Sequence, residues 1–532
     1  MRRTTHIIHN PFIQHLESSA MELSFFDITS FLLFFLIVIG VSMYKSRKEE
    51  SGEDFFLAGR GLLWPMIGLS LIAANISTEQ IVGQAGQGAS NVGLAVASYE
   101  WMASITLVFV AFFFLPRFLR SGIFTMPEYL EYRYNTAARG LMAFYTLVIY
   151  VGVTISAVIY SGALTLNTIF DMELWTAVWL IGGIAALYTT WGGLKAVAWA
   201  DLFQGGALLI GGLVVMGIGF SAVGGVDNFM TVNADRLHMI LPKDHPVLPW
   251  TALIVGLWIP NFYYWGLNQY ITQRSLAAKT IHQGQMGVLF AAFLKLLIPF
   301  IVIFPGIMAY QLYSDQLAKT PDAAYPLLIR NLIPIGVRGF IFAAIAGAVI
   351  SSLASMLNSA STIFTMDLFK RHLRKDASPK SLVSTGRVMT VILVVLGCFI
   401  APQLGNPRFQ GIFNYIQEFQ GFVSPGILAA FVFGMVFKKS PPVAGVTALT
   451  ASPVIYGILF FVAKNMAFLN RMAVTFALIL TIMALITILK PLDKPKELPV
   501  REGFEDIKLV KPVLYIGFTV ILVTLALYAI FW

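Results

Sequence analysis

Two stretches of polar side chains interrupt apolar segments, and their oxygen atoms suit a hard monovalent cation. The first lies within SLIAANISTEQIVGQ, residues 70–84, and its polar members are Asn75, Ser77, Thr78, Glu79 and Gln80. In the second, Gly339–Phe364, small residues and hydroxyls recur at three- and four-residue spacing and share one helix face: Ala348, Ser351, Ser352, Ser355 and Ser359. Adjacent hydroxyls let a cation reach side-chain and backbone oxygens together. The alternatives are a polar kink and a small-residue packing stripe.

Three charged residues lie deep in apolar sequence, where charges are costly and usually functional. Glu100 is flanked by Tyr99 and has Ser104 one turn further on, and Lys295 interrupts AAFLKLLIPF. Snorkelling or a structural ion pair is the alternative for these two. Asp201, in WGGLKAVAWADLFQ, could assist a cation route or stabilise a structural network.

Amides and aromatic rings also occur together within the apolar segments. Asn261 precedes Phe262-Tyr263-Tyr264-Trp265, and two pairs at i, i+4 each share a helix face: Gln80 with Gln84, and Phe413 with Gln417. Amides, one acid, one ammonium and flat rings match a sugar, whose hydroxyls need donors and acceptors and whose C–H face packs on a ring. A carboxylate substrate would favour Arg, and no Arg is expected in mid-span.

The elements that must position these residues are membrane helices. The 532-residue chain is 57% apolar and 12% charged, about half the charge of a soluble protein, with mean hydropathy +0.76. Its apolar blocks reach the roughly 20 residues that a span requires. We predict an all-α polytopic membrane protein with about 14 transmembrane helices. Because no metal-ligand spacing, phosphate loop or catalytic triad occurs at a plausible position, we predict that it is not an enzyme.

Two spans have polar or helix-breaking interruptions, and each begins a group of about five spans. The second interruption is Leu257–Gly266, where Pro260 removes a backbone donor. Matching interruptions indicate a transporter built from repeats with its site at mid-membrane. Because five is odd, the second group should be inverted relative to the first. The predicted groups are residues 62–222 and 249–437.

The remaining segments and the orientation are assigned from composition. Residues 1–20 are expected to be a disordered lead or a mis-assigned start, 21–61 an extra helix and cytoplasmic loop, and 438–532 additional helices. The net charge of +9 is spread over alternate loops, which the positive-inside rule makes cytoplasmic. We therefore predict an inner-membrane protein with both termini extracytoplasmic and no nucleic-acid partner.

Six motifs occur in the order seen in the sodium/solute symporter family, which the chain resembles over roughly residues 25–532. They are AGRGLLWPMIGLSLIAANISTEQ, ASYEWM, WGGLKAVAWADLFQ, NFYYWGLNQYITQRSLAAK, AAIAGAVISSLASMLNSASTIFTMD and YIQEFQGFVSPGI. The likeness is greatest to the sodium/galactose and sodium/glucose symporters. It implies a LeuT-type inverted repeat whose first helix is discontinuous in each half.

The resemblance also implies roles for individual residues. The implied sugar-contacting residues are Gln80, Glu100, Asn261, Lys295 and Gln417, with Asn75, Tyr99 and Trp265 nearby. The implied gates are Tyr264 on the inner side and Gln84, Tyr150 and Phe413 on the outer side. The implied sodium ligands are the carbonyls of Ala73, Ile76 and Ala348 and the hydroxyls of Ser351 and Ser352. The chain departs from the sodium/galactose symporter at two implied pocket positions, with Ala103 beside Ser104 in place of a serine, and Gln84 in place of Met, so sugar as a class is better supported than galactose itself.

The expected activity is sodium-coupled import of a neutral sugar by alternating access, with sodium as the coupling ion and no cofactor. A symporter of the same fold for inositol, an amino acid or an organic anion is the first alternative. A membrane enzyme or sensor is the second. The sequence leaves open the preferred sugar, the sodium stoichiometry and the oligomeric state.

Overall fold

All regular secondary structure in the described part of the chain is helical. The computed structural model describes residues 24–45, 57–191, 194–406, 411–502 and 510–532. Within these ranges the β-type pairing is one isolated bridge, between Leu62 and Ala278. The predicted lead, residues 1–20, lies outside the described residues. The all-α prediction is confirmed for the described ranges.

The helices of the first predicted group begin after an additional N-terminal helix, α1 (Phe25–Lys45), which packs on two of the later helices. They are α2 (Trp64–Asn75), α3 (Thr78–Ala89), α4 (Ser98–Phe109), α5 (Leu115–Ser121), α6 (Met126–Arg133), α7 (Thr136–Ile149), α8 (Ser156–Phe170), α9 (Leu174–Trp191) and α10 (Leu194–Ala222). Short π-helical stretches, Val110–Phe114 and Tyr150–Ile155, join α4 to α5 and α7 to α8.

The second predicted group follows a connection that contains α11 (Val226–Val232). Its helices are α12 (Trp250–Ile254), α13 (Trp258–Leu267), α14 (Gln269–Leu276), α15 (Ile281–Lys295), α16 (Ile298–Leu317), α17 (Ala324–Leu332), α18 (Val337–Ile363), α19 (Pro379–Ile400), α20 (Ile412–Gln420) and α21 (Ser424–Val436). The last three helices are α22 (Pro442–Val462), α23 (Phe468–Leu489) and α24 (Lys511–Ile530).

Nine helical segments in the described residues are long and apolar enough to cross a membrane, or eleven if each of two bent pairs is one span. The bent pairs are α2 with α3, at 58°, and α20 with α21, at 48°. Two shorter apolar segments, Phe25–Val38 and Leu174–Leu187, add to these. The fold is therefore a polytopic helical membrane protein, and the count of fourteen stays a prediction.

The first predicted helix interruption is present, and the second lies just beyond its predicted range. The first falls at Ile76 (φ −78°, ψ 76°) and Ser77 (φ −99°, ψ −178°), whose non-helical backbone separates α2 from α3. The second falls at Asn268 (φ −78°, ψ 124°), between α13 and α14. Pro260 instead lies in the first turn of α13, where a helix does not need the missing N–H. The sequence thus predicted the broken helix correctly but placed its break about two turns too early.

The two broken helices lie against continuous ones that hold them closely. Helix α2 packs on α15 and α10, and α10 packs on α18. Gly287 of α15 makes this approach possible, because a Cβ there would lie 2.6 Å from the Cβ of Ile67. Such small-residue contacts bring helix backbones close together in membrane proteins. As a result, the interrupted segments lie inside protein, where exposed backbone groups are tolerated.

Candidate functional site

A cavity of about 360 Å³ lies where the first break, α4, α13, α15 and α20 meet. Each of these elements contributes side chains to its wall. The lining residues are Asn75, Gln80, Gln84, Tyr99, Glu100, Pro260, Asn261, Tyr264, Trp265, Lys295, Phe413, Gln417 and Gln420. The structure therefore brings together in one cavity eight of the nine residues predicted for the sugar site, all but Ser104, together with three of the four predicted gate residues.

The two buried charges of the wall form an ion pair. The Lys295 ammonium donates to the Glu100 carboxylate and, at 2.5 Å, to the Asn75 side-chain oxygen. Gln84 donates to the other oxygen of Glu100 at 2.6 Å. The Lys295 ammonium also lies 4.9 Å from the centre of the Trp265 ring. Because the charges are compensated within the wall, the cavity favours a polar ligand without net charge.

Several polar atoms of the wall are buried but have no hydrogen-bond partner among the described residues. They are Oε1 of Gln80, Gln84 and Gln417, Nδ2 of Asn261 and the hydroxyl of Tyr99. Buried polar groups are nearly always hydrogen-bonded, and leaving one unsatisfied costs about 1–3 kcal/mol. These atoms can therefore take up the donors and acceptors of a hydroxyl-rich ligand.

Aromatic residues lie on two sides of the cavity. Phe413 meets Tyr99 edge to face, with ring centres 4.7 Å apart. On another side, the Tyr264 hydroxyl accepts from Asn75 at 3.1 Å and from the Tyr270 hydroxyl at 2.6 Å. The predicted gate residues Phe413 and Tyr264 therefore both border the cavity, and their role as gates stays a prediction.

Two predicted site residues lie outside the cavity lining. Tyr150 donates to Asn268 at 2.5 Å and accepts from the Tyr270 N–H at 3.0 Å, so it lies at the second break, with Tyr264 and Tyr270 and not with Phe413. The Ser104 hydroxyl donates to the Glu100 carbonyl at 3.3 Å along its own helix. One turn beyond Glu100, its side chain does not reach the cavity.

The predicted sodium ligands lie on α2 and α18, next to the first break. At the break, the Ser77 N–H donates to the Asn75 carbonyl at 2.9 Å, so it does not complete the helical bond to Ala73. Ser351 donates to Asp201, whereas the Ser352 hydroxyl is fully buried and has no partner in the part of the chain that the structure describes. A buried hydroxyl without a partner fits a cation ligand, and so does a carbonyl that the helix leaves without its bond. Ile76 and Ala348 are likewise buried.

Asp201 joins the two helices that bear these ligands. Its carboxylate accepts from Ser70 of α2 at 2.5 Å and from Ser351 of α18, and it pairs with Arg274 of α14 at 3.0 Å. Arg274 also donates to Ser70 at 2.7 Å and to Ser355 at 2.5 Å. The expectation that no Arg lies in mid-span is therefore wrong, since Arg274 is 1% exposed. Its charge is compensated by Asp201, and it does not line the cavity.

Sequence reasoning missed three further residues around the site. Gln420 lines the cavity, and its spacing of three from Gln417 was a usable signal. Tyr270 and Arg274 lie in the quoted motif NFYYWGLNQYITQRSLAAK, but their role depends on the break at Asn268, which turns α14 toward α2. Composition gave no sign of that turn.

Two broken helices around a buried polar cavity, within a bundle of membrane-crossing helices, define a secondary transporter. The model of the sodium:solute symporter family matches residues 55–448. The chain belongs to this family: it is a sodium/solute symporter and not an enzyme. As a multi-pass integral membrane protein it takes sodium and a solute as substrates.

Three relatives are similar to this chain over most of its length. A sodium/glucose cotransporter of Vibrio parahaemolyticus is 40% identical over 96% of this chain and 99% of its own length. The uncharacterized symporter YidK of Escherichia coli is 36% identical over 88% of this chain and 85% of its own. A sodium/myo-inositol cotransporter 2 of Oryctolagus cuniculus is 35% identical over 78% of this chain and 66% of its own.

Solved structures show the same fold. A substrate-bound, outward-open Na⁺-coupled sialic acid symporter superposes with a TM-score of 0.78 at 20% identity, covering 90% of this chain and 100% of the other. The nucleobase–cation symporter Mhp1 in a closed conformation gives 0.53 at 15% identity, covering 84% and 97%. At these identities the likeness concerns the fold alone, which is that of LeuT-type transporters.

Proposed function

We propose that this symporter couples the entry of sodium to the import of a neutral sugar of the glucose or galactose type. The observation that carries the proposal is the set of unpaired amide groups on Gln80, Asn261 and Gln417, in a cavity whose only buried charges among the described lining residues neutralise each other. Sugar hydroxyls both donate and accept, so each can satisfy such groups. Trp265 and Tyr264 supply ring faces for the apolar side of a sugar.

In the proposed cycle, sodium binds between the end of α2 and the hydroxyls of Ser351 and Ser352. The ion links α2 to α18, and this link favours the arrangement that accepts sugar. Sugar then bonds to the amides, and the aromatic gates close over it. When the helices separate toward the cytoplasm, sodium loses ligands from both, and sugar follows past Tyr264. Each step uses groups that already lie beside the cavity or the first break.

A cyclic polyol such as inositol is the second candidate solute. It has the same alternation of hydroxyls and C–H faces, and cotransporters named for myo-inositol are 35% identical to this chain. Gln84, at the position where the resemblance implies Met in the sodium/galactose symporter, donates to Glu100 and reduces its free acceptor capacity. Because Gln84 lies in the cavity wall, we expect this difference to influence which of the two solutes is preferred.

The decisive experiment is uptake into proteoliposomes of labelled glucose, galactose, myo-inositol, proline and sialic acid, with and without an inward sodium gradient. We expect sodium-dependent uptake of a hexose. Uptake of proline or sialic acid in place of any hexose or polyol would refute the proposal.

Replacing Gln417 tests the cavity itself. Gln417→Ala removes a buried amide from the wall, so sugar binding measured by Trp fluorescence or isotope should become undetectable while insertion and folding persist. Gln316→Ala, an exposed amide on α16, is the matched control and should bind normally. Full binding by Gln417→Ala would remove this residue from the site.

A further inference from the structure

A second cavity, of about 1440 Å³, lies at the membrane-exit ends of α5 and α21 and carries a strong positive charge. Five basic side chains and one carboxylate line it: Arg117, Arg120, Arg133, Lys438, Lys496 and Glu497. The segment after α23 closes one side, because Lys496 N–H donates to the Lys438 carbonyl at 2.9 Å and Arg501 N–H to the Arg120 carbonyl at 2.7 Å. It shares no residue with the solute cavity.

The charges of this cavity are mostly uncompensated. Among the described residues, Arg117, Arg120, Lys438 and Lys496 form no ion pair. Two of the arginines bond to backbone carbonyls instead. Arg133 donates to those of Gly434, Phe437 and Ser440, and Arg117 donates to that of Phe113. The Arg120 Nε is buried without any hydrogen-bond partner. Four clustered cations, one with a buried unsatisfied donor, favour a ligand with anionic oxygens.

An apolar groove of about 900 Å³ continues from this cavity along the membrane-crossing helices. Phe113 belongs to both, and it is 45% exposed. On α21 the groove is lined by Leu428 and Val432, and the basic cavity by Met435 one turn later. From Phe109 to Arg120 the lining likewise changes from the apolar groove to the basic cavity. The two neighbouring elements therefore pass from groove to cavity in the same direction.

We propose that this composite site binds an anionic phospholipid, with its phosphate among the four cations and an acyl chain along the apolar groove. Basic pockets at the cytoplasmic ends of membrane helices recognise acidic headgroups, and the positive-inside rule assigns these cations to that leaflet. A free phosphate would use the cations but not the groove, and a zwitterionic lipid would use the groove but gain little from the cations. The site touches α5, α6 and α21, so bound lipid would link these helices to the segment after α23.

The test is native mass spectrometry of the full-length protein with phosphatidylglycerol and with phosphatidylcholine of identical acyl chains. Each basic residue near an acidic lipid contributes about fivefold to affinity. Arg117→Gln with Arg120→Gln should therefore weaken phosphatidylglycerol retention about 25-fold. The matched control, Lys319→Gln with Lys464→Gln, removes the same charge from exposed positions elsewhere and should bind as the parent does. Val432→Trp, which fills the groove, should also weaken retention.

Three results would overturn the proposal. They are equal retention of the two lipids by the parent, equal retention by the Arg variant and its control, or displacement of lipid by water-soluble glycerol phosphate with no effect of Val432→Trp. The last result would identify a free-phosphate site. If the Arg variant fails to fold in a melting assay, Lys438→Gln with Lys496→Gln carries the same test, because both side chains are exposed.

Discussion

Ser352 is the residue whose environment most clearly suggests an ion ligand. It is fully buried, yet its hydroxyl has no partner, whereas its neighbour Ser351 donates to Asp201. Removing the Ser352 oxygen breaks no hydrogen bond of the protein, so its loss should affect ligand binding more than folding. In lacking a hydrogen-bond partner among the described residues, Ser352 differs from most serines of α18.

Ser352→Ala should raise the sodium concentration for half-maximal uptake about tenfold, because a bond to a charged group is worth about 1.5–3 kcal/mol. Sodium titration of sugar uptake measures this shift. Ser361→Ala, on the same helix but bonded to the Gly386 carbonyl at 2.9 Å, is the control. An unchanged sodium dependence in Ser352→Ala would count against the ion site.

For the Glu100–Lys295 pair, we predict that the effects of the two single substitutions on stability are strongly non-additive. Either Glu100→Gln or Lys295→Met leaves a buried charge unpaired, which costs about 3–5 kcal/mol. The double variant removes both charges and should be more stable than at least one single variant. Thermal unfolding in detergent measures the cycle. The partly exposed Asp171–Arg330 pair, at 3.5 Å, is the control and should give about 1 kcal/mol or less. Simple additivity at Glu100 and Lys295 would show that the two charges do not interact.

At the scale of elements, α20 is held along its whole length. Its first N–H, that of Ile412, donates to Asp322 at 2.9 Å, and Tyr415 donates to the Gly152 carbonyl at 2.6 Å. Near its end, Glu418 accepts from Tyr456 at 2.7 Å and pairs with Arg471 at 2.5 Å. These contacts face away from the cavity, so they fix the rotation of the helix. That rotation directs Phe413, Gln417 and Gln420 into the cavity.

Asp322 makes the contact that fixes the start of α20 sensitive to pH. Burial raises the pKa of this carboxyl to about 6, and among the described residues it faces Tyr160 of α8 and the amide of Gln87. Because the pKa is raised, the carboxylate is about nine-tenths charged at pH 7 but about one-tenth charged at pH 5. An anionic group at a helix N-terminus stabilises it, so protonation weakens the start of α20.

We expect the KM for solute to rise about two- to fivefold between pH 7 and pH 5. Asp322→Asn, which is neutral throughout, should remove this dependence. Uptake at fixed sodium over this range is the measurement, and Asp315→Asn, an exposed acid on α16, should retain the parent profile. A parent profile that is flat from pH 5 to pH 7 would refute the role of Asp322.

The elements also show what a sequence can predict. Both broken helices could be predicted, because polar residues such as Asn75 and Asn261 have no place in a lipid-facing helix. The position of the second break could not, because Pro260 looks like a breaker but fits the first turn of α13. Arg274 was missed for a related reason, since its burial depends on Asp201, more than 70 residues away in the chain. Such pairing is decided by tertiary contacts, which local patterns do not contain.

At the scale of the molecule, one sodium ion per sugar is energetically sufficient. A charge that crosses about 100 mV yields about 2.3 kcal/mol. A tenfold sodium gradient adds about 1.4 kcal/mol, and together these support a sugar gradient of a few hundred-fold. We predict that one sodium ion is transported with each sugar. The ratio is measured from the membrane potential at which net flux into proteoliposomes stops. A reversal potential that fits two ions would reject it, and a sugar-free run is the control.

Asp201 also affects the return step of the transport cycle, in which neither sodium nor solute is bound. Through Ser70 and Ser351 its carboxylate connects α2 with α18 by protein groups alone. After release, the transporter must return to its outward-facing arrangement without sodium. If the ion alone linked α2 to α18, these helices would move apart during that return. We expect the Asp201 bridge to limit the separation of α2 and α18 once sodium has left, so that the two helices return together and the empty transporter does not leak.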